Sequence, residues 1–379
     1  MKEITVFTQG DASLASTWSN VPYFFTTTLE SKGYKINRIN VNTTGLLQRI
    51  YDKIFCRILR HSILPHTTFC YERSYLNYLT VNRLMQKAVH NHPDSVCFIS
   101  TSFSFSPKKF TGKPCILFCD WTYAYFVTHF NHKKPDFLEN AAIRRQDDLI
   151  ESVDYIFTLF PDVAHYMKDY YHNSHIAYLG NVINSEESST QTDFNKKRMA
   201  QKILFIGLKK YKEGAKALIR AIIQLHSDYP DIELNIIGMV SADCNLLKAP
   251  DFIRFHGYLS KDVPSQKNLY DSLLQESMVY VNTTPLWAGF SSALESLYHY
   301  LPVITSPYTS FLDTFGSDIN FGYYCEENSP EIIADRLKQI LDMSSHDYEV
   351  LCLNAHNCTK DYTWSSYVER MLSYIGNGL

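Results

Sequence analysis

Short apolar runs alternate with amphipathic stretches along most of the chain. Residues 4–7 form an apolar run followed by the polar loop 9–17. Residues 21–31 carry apolar positions at helical spacing and stop at Gly33, and 35–41 is strand-like again. Residues 95–100, 114–120 and 154–159 predict further strands, the last with a helix over 162–171 behind it. Residues 184–198 are polar and lack any apolar period, which marks an interdomain linker. The pattern then restarts. It gives strands at 202–207, 232–238, 254–259, 278–282 and 301–305, and helices over 212–225, 292–299, 331–343 and 364–375. Strands alternating with helices predict parallel α/β sheets, here two Rossmann-like halves with ligands at the carboxyl ends of their strands, in a cleft between them. The expected division is 1–184, a linker at 185–199, 200–360, and a last segment 361–379 packing back on the first domain.

Composition narrows the picture. A chain of 379 residues has room for two domains. A net charge of −3 gives no reason to expect nucleic acid as a partner. Nine cysteines without a CxxC pair argue for free thiols in a reducing compartment. Cys115 and Cys119 fall in an apolar run that reads as a buried strand. No secretory signal is visible and no run approaches the ~20 apolar residues of a membrane span, so a cytoplasmic protein is expected. There is neither a dinucleotide fingerprint nor a P-loop. No His/Cys/carboxylate spacing calls for a metal ion.

The chemistry concentrates in Trp287-Ala-Gly-Phe-Ser-Ser-Ala-Leu-Glu295 and the residues after it. Small residues feed a helix N-terminus there. The loop glycine Gly289 and the amides of Phe290, Ser291 and Ser292 suit a diphosphate. Glu295, about one turn into the helix, is placed to accept hydrogen bonds from ribose hydroxyls; a first-turn acid favoured only by the helix dipole is the plainer account. Lys209, Lys210 and Lys212 follow a glycine-ended strand, where a solvated face or a phosphate contact would explain them. Gly10 and Asp11 follow the first strand, as a plain turn or as part of a ligand cleft. Asp120 and Trp121 end an apolar strand, Asp120 as an acceptor-binding or acid–base group or as a helix cap. Gly180-Asn181 suits a hinge turn as well as a ligand contact.

These residues carry a resemblance. The stretch 287–304 is similar to the donor-site signature of GT-B glycosyltransferases, particularly retaining family 4, written E-G-F-G-x-x-x-x-E-A-x-x-x-G-L-P-V-I. Glu295 stands at the second acid, and Leu301-Pro302-Val303-Ile304 follows at the family spacing. Residues 204–214, 236–238 and 256–261 resemble the preceding strand ends of that family, and 10–22 and 119–122 resemble the first domain more loosely. The chain departs from the pattern at Trp287, where the first acid is expected, and at Leu208 and Glu213, where the basic pair is expected.

The resemblance implies a nucleoside-diphosphate sugar as co-substrate, an acceptor-binding first half, a donor-binding second half and retention of configuration. The acceptor would be a glycan or lipid-linked saccharide in polysaccharide assembly. Asp120, Lys209 and Lys212 become the candidate catalytic residues. Gly10, Asp11, Lys209, Lys212, Gly289, Phe290, Ser291, Ser292 and Glu295 become the candidate donor site. Lysines and amides would meet the leaving diphosphate without a metal or other cofactor. An epimerase on the same fold would act on the nucleotide sugar without an acceptor. A binding subunit without catalysis would explain Trp287 and Glu213.

One segment stands outside this scheme. In 46–61, Arg49, Lys53, Arg57 and Arg60 share one helical face and Leu47, Ile50, Ile54 and Ile58 another. The face fits peripheral contact with an anionic membrane, or simple packing on the adjoining sheet.

Overall fold

Two six-stranded parallel sheets account for the alternating pattern. The computed structural model describes residues 1–43, 45–185, 193–284 and 291–376. The chain divides into one unit of Met1–Val182 with Trp364–Leu379 and a second unit of Ile183–Thr363.

In the first unit the strands are β1 (Glu3–Thr8), β2 (Lys35–Asn40), β3 (Ser95–Ser100), β4 (Cys115–Cys119), β5 (Tyr155–Thr158) and β6 (Ile176–Tyr178). They run in the spatial order β2-β1-β3-β4-β5-β6, every pair parallel. Helices cover the faces, so the central strands are largely apolar; Ile4, Val6, Phe7 and 116–118 are buried, with Thr5 among them. The helix Trp364–Ile375 completes this unit. Trp364 and Tyr367 pack their rings on Phe118, and Trp364 also meets Phe25 of the helix Val21–Ser31. Arg370 Nε donates to Leu179 O at 2.6 Å.

Helices Tyr75–Asn91 and Phe137–Ser152 lie where the apolar pattern alone predicts no element. Their signals are at their starts. Ser74 Oγ accepts from Asn77 N, and Asp136 and Glu139 form a reciprocal capping box. The segment 46–62 is a helix whose middle, Tyr51–Cys56, is π-helical. It does not use its apolar face for packing. Leu47, Ile50, Ile54 and Ile58 are exposed, while Cys56 and Leu59 are buried.

The second sheet contains β7 (Lys202–Ile206), β8 (Glu233–Ile237), β9 (Ile253–Gly257), β10 (Val279–Asn282), β11 (Val303–Thr305) and β12 (Gly322–Tyr324). Its order is β12-β11-β10-β7-β8-β9, again parallel throughout. The helix Lys212–Leu225 buries Ala215, Leu218, Ile222 and Leu225, and packs beside the helix Pro330–Leu341.

The stretch expected to be a linker differs from that expectation. Residues 186–192 lie outside the described residues, but Phe194–Ala200 is a helix of the second unit. Asp193 caps it, and Lys197 is buried with its ammonium on His299 O at 2.9 Å. Burial without a carboxylate lowers the Lys197 pKa to about 7. The ends of the second unit meet, Ile183 N donating to Tyr362 O at 2.9 Å. All nine cysteines are free. Among the described residues no helix is long and apolar enough to cross a membrane.

Candidate functional sites in the two sheets

Strand order reverses between β7 and β10 in the second sheet. Loops leaving neighbouring strands part at such a point and open a crevice at their carboxyl ends. The loop after β7 carries Lys209, Lys210 and the start of the helix Lys212–Leu225. The helix Ser291–Tyr298 follows β10.

Glu295 lies on this second helix and is almost fully buried. Tyr270 Oη donates to Glu295 Oε2 at 2.7 Å, and Lys261 Nζ pairs with Oε1. Lys261 also donates to Asn184 O at 3.0 Å and lies 4.6 Å from the Tyr270 ring centroid. Burial and the neighbouring carboxylate push the Tyr270 hydroxyl well above its ordinary pKa. A carboxylate has about four acceptor positions, so two protein donors leave it able to accept from a ligand. Sequence reasoning missed Tyr270 as a member of this site. Lys261 stood in a quoted segment, but without a role.

The sequence-derived donor residues are distributed as follows. Gly289 and Phe290, with Trp287, lie outside the described residues. Ser291 is exposed at the helix start, and Ser292 Oγ shares a 2.8 Å hydrogen bond with Tyr280 Oη. Lys209 is exposed and pairs with Asp243 at 3.1 Å, so a carboxylate already answers its charge. Lys212 opens its helix beside the loop after β10. There a Cβ on Gly214 would lie 2.3 Å from Thr284 Oγ1, so only glycine permits the approach. Glu213 is exposed and paired with Lys216 at 3.0 Å.

The first sheet reverses order between β1 and β3, and a cavity of about 290 Å³ opens at that point. Gln9 and Trp18 after β1, 101–105 after β3 and 119–121 after β4 line it, together with Arg73 and Arg145. Trp18, Ser19 and Asn20 all have left-handed backbone, with φ of 39°, 52° and 72°. Such a run in non-glycine residues is strained and belongs with positions held for a purpose. Trp18 meets Phe118 at 5.9 Å. Asp120 Oδ1 accepts from Trp121 N at 3.0 Å and from the Cys119 thiol at 3.1 Å. Burial raises the Asp120 pKa. Asp120 thus lines a cavity and does not cap the helix Tyr123–Tyr125, whose N-cap is Thr122.

Gly10 and Asp11 build the loop beside this cavity. Gly10 has φ of 119°, and its N–H donates to Asn40 Oδ1 at 3.1 Å. Asp11 Oδ1 accepts from Ser13 N and Ser13 Oγ, which lowers its pKa and turns the carboxylate toward its own loop. Both candidates belong to the first unit, as the cavity does. Gly180 has φ of 98°, and Asn181 Nδ2 donates to Tyr178 Oη at 2.6 Å.

Comparison with known proteins agrees with this architecture. Residues 186–352 match the family model of group 1 glycosyl transferases. No curated protein matches the chain in sequence. Sucrose-phosphate synthase from Thermosynechococcus elongatus is similar in fold, with a TM-score of 0.69 at 12% identity over 98% of each chain. Anabaena HepE, solved with UDP and glucose, has a TM-score of 0.61 at 12% identity over 99% of each chain. S. aureus TarM, solved with fondaparinux, alpha-GlcNAc-glycerol and UDP, has a TM-score of 0.56 at 15% identity. That match covers 78% of this chain and 59% of TarM, so the chain spans about three fifths of that protein. The chain therefore consists of two Rossmann-like α/β domains of the GT-B class. Within its second unit residues 186–352 resemble group 1 glycosyl transferases, on a fold shared with GT-B glycosyltransferases.

Proposed function

We propose that the protein transfers a hexosyl group from a nucleoside-diphosphate sugar to a glycan or lipid-linked saccharide, with retention as in family 4. The observation that carries this is Glu295, held by Lys261 and Tyr270 on the helix after β10 at the point where strand order reverses. Its remaining acceptor positions suit ribose hydroxyls. Negative charge builds on the diphosphate as it leaves. The N-terminus of the helix Lys212–Leu225, Lys212 itself and the amides at Ser291 and Ser292 would stabilise it, with Lys209 available once it leaves Asp243. This reading calls for no metal. The first-unit cavity would hold the acceptor, with Asp120 as its hydroxyl-binding or acid–base group.

The helix 46–62 supports a membrane-side acceptor. Its exposed apolar face adjoins Arg49, Lys53 and Arg57, and its one acid, Asp52, turns away to accept from Tyr71 N at 2.7 Å. We propose an anionic lipid surface as the partner of this face.

A panel of nucleotides and nucleotide sugars, read by thermal shift, tests the donor site. One nucleoside diphosphate and its sugar should stabilise the protein selectively, by about 2.7 kcal/mol at 100-fold excess over Kd. Glu295→Gln should reduce that gain, and nucleotide release on adding acceptor should follow. No shift from folded protein would overturn the assignment. Binding without any release would favour a nucleotide-sugar-binding subunit, the second reading, to which the exposed and paired Glu213 points.

A further inference from the structure

The first-unit cavity contains two guanidinium groups that form no ion pair among the described residues. Arg73 comes from the short turn Tyr71–Arg73 and Arg145 from the middle of the helix Phe137–Ser152. Arg73 Nη1 donates to Ser104 Oγ at 2.7 Å, with its Cζ 4.4 Å from the Tyr123 ring centroid. Arg145 Nη2 donates to the Arg73 carbonyl at 2.6 Å, with its Cζ 5.9 and 6.0 Å from the Tyr75 and Tyr78 rings. A guanidinium has five N–H donors. One protein hydrogen bond each leaves most of them unmatched among the described residues. Rings, the Ser104 hydroxyl and a backbone carbonyl hold both forks in place, and Asp120, on whose carboxyl Arg73 acts, is not hydrogen-bonded to either. Burial accordingly lowers the Arg145 pKa, and a bound anion would relieve that cost.

The rest of the lining fits a sugar. Trp18 and Trp121 supply aromatic surface. Gln146 Nε2 donates to Ser104 Oγ at 3.0 Å, so that oxygen accepts twice and keeps its own proton to donate. Asp120 and the exposed Glu72 are the acids among the lining residues, and Asp120 spends its Oδ1 on Trp121 N and the Cys119 thiol. At about 290 Å³ the space lies just below the usual ligand-site range of about 300–1,000 Å³, which suits one monosaccharide better than a long chain.

We infer that this cavity receives an acidic sugar of the acceptor, its carboxylate or phosphate gripped by the Arg73 and Arg145 guanidiniums. Planar forks bind either anion bidentately. The inference rests on the first unit being the acceptor side.

Calorimetric titration of the full-length protein with glucuronate, glucose 6-phosphate and glucose tests it. At least one acidic probe should bind about tenfold or more tighter than glucose, and its affinity should fall as salt is raised. Preference for glucuronate identifies a carboxylate sugar, and preference for glucose 6-phosphate a phosphorylated one. Arg73→Gln and Arg145→Gln should each weaken the preferred probe about tenfold while leaving glucose unchanged, and lysine at either position should restore part of the loss. Equal affinity for all three probes, or no binding by the two acidic ones, overturns the inference whether or not the variants fold. Nucleotide titration of the same sample separates the readings. Donor binding without acidic preference removes this inference alone, and acidic preference without donor binding removes the donor assignment alone.

Discussion

Tyr300 ends the helix that carries Glu295 with a left-handed backbone, φ 61°. Leu301 N donates to Ser296 O and Tyr300 N to Leu297 O, the paired bonds of a Schellman closure. Glycine is the usual residue there, and the donor-site signature has glycine at this place. The tyrosine ring stacks on His356 at 4.2 Å and meets Phe194 at 5.7 Å. Both Tyr300→Ala and Tyr300→Gly lose those contacts, but only alanine keeps the left-handed cost. Alanine should therefore be the less stable of the two by about 1 kcal/mol in urea unfolding. Legibility at this scale followed locality. Glu295 could be read because its neighbours in sequence spell a helix start and the next strand. Tyr270 could not, because it reaches Glu295 from an element 25 residues earlier. The Asp243 that pairs with Lys209 could not be read either, because it lies 34 residues further along the chain.

At the scale of elements, the buried strands were the most legible part of the chain. A parallel strand covered on both faces must be apolar throughout, and Cys115–Cys119 or Val279–Asn282 leave little choice of structure. The helices Tyr75–Asn91 and Phe137–Ser152 were hidden because the first also buries Asn77 and Asn82, and the second Glu139 and Gln146. Polar groups in the core blur the apolar period. The helix 46–62 posed the reverse problem, since its pattern is clear but its apolar face stays exposed among the described residues. The full-length protein should sediment with vesicles containing phosphatidylglycerol and much less with pure phosphatidylcholine. Ile54→Asp with Ile58→Asp should abolish that binding with a stability change within roughly 0.5 kcal/mol per exposed site. Equal binding to both vesicle types, or no effect of the two aspartates, would remove the lipid surface as the partner.

For the whole molecule, two sheets with the same kind of strand-order reversal place one candidate site in each unit. The strand–helix alternation made both sheets legible. The unit boundary was less so, because Phe194–Ala200 is as polar as a linker and helical only through its cap and its buried Lys197. Truncation after Thr363 should act on the first unit selectively. It removes the buried Trp364, Tyr367, Val368, Met371 and Ile375, each contributing about 1.5–3 kcal/mol, against a domain stability of about 5–15 kcal/mol. Limited proteolysis should then degrade residues 1–182 and spare the second unit with its nucleotide binding. Survival of the first unit would show that the last helix is dispensable.

The helix Trp364–Ile375 also sets an order of events during synthesis. A ribosome releases residues 1–182 long before it makes the residues that cover Phe25 and Phe118. Throughout that interval the nascent first unit lacks the rings that cover Phe25 and Phe118, while the second unit, whose ends meet at Ile183 and Tyr362, is made as one continuous stretch. Of the two units, the one begun earlier is thus finished later, and its aromatic surface is the one left open to misassembly in between.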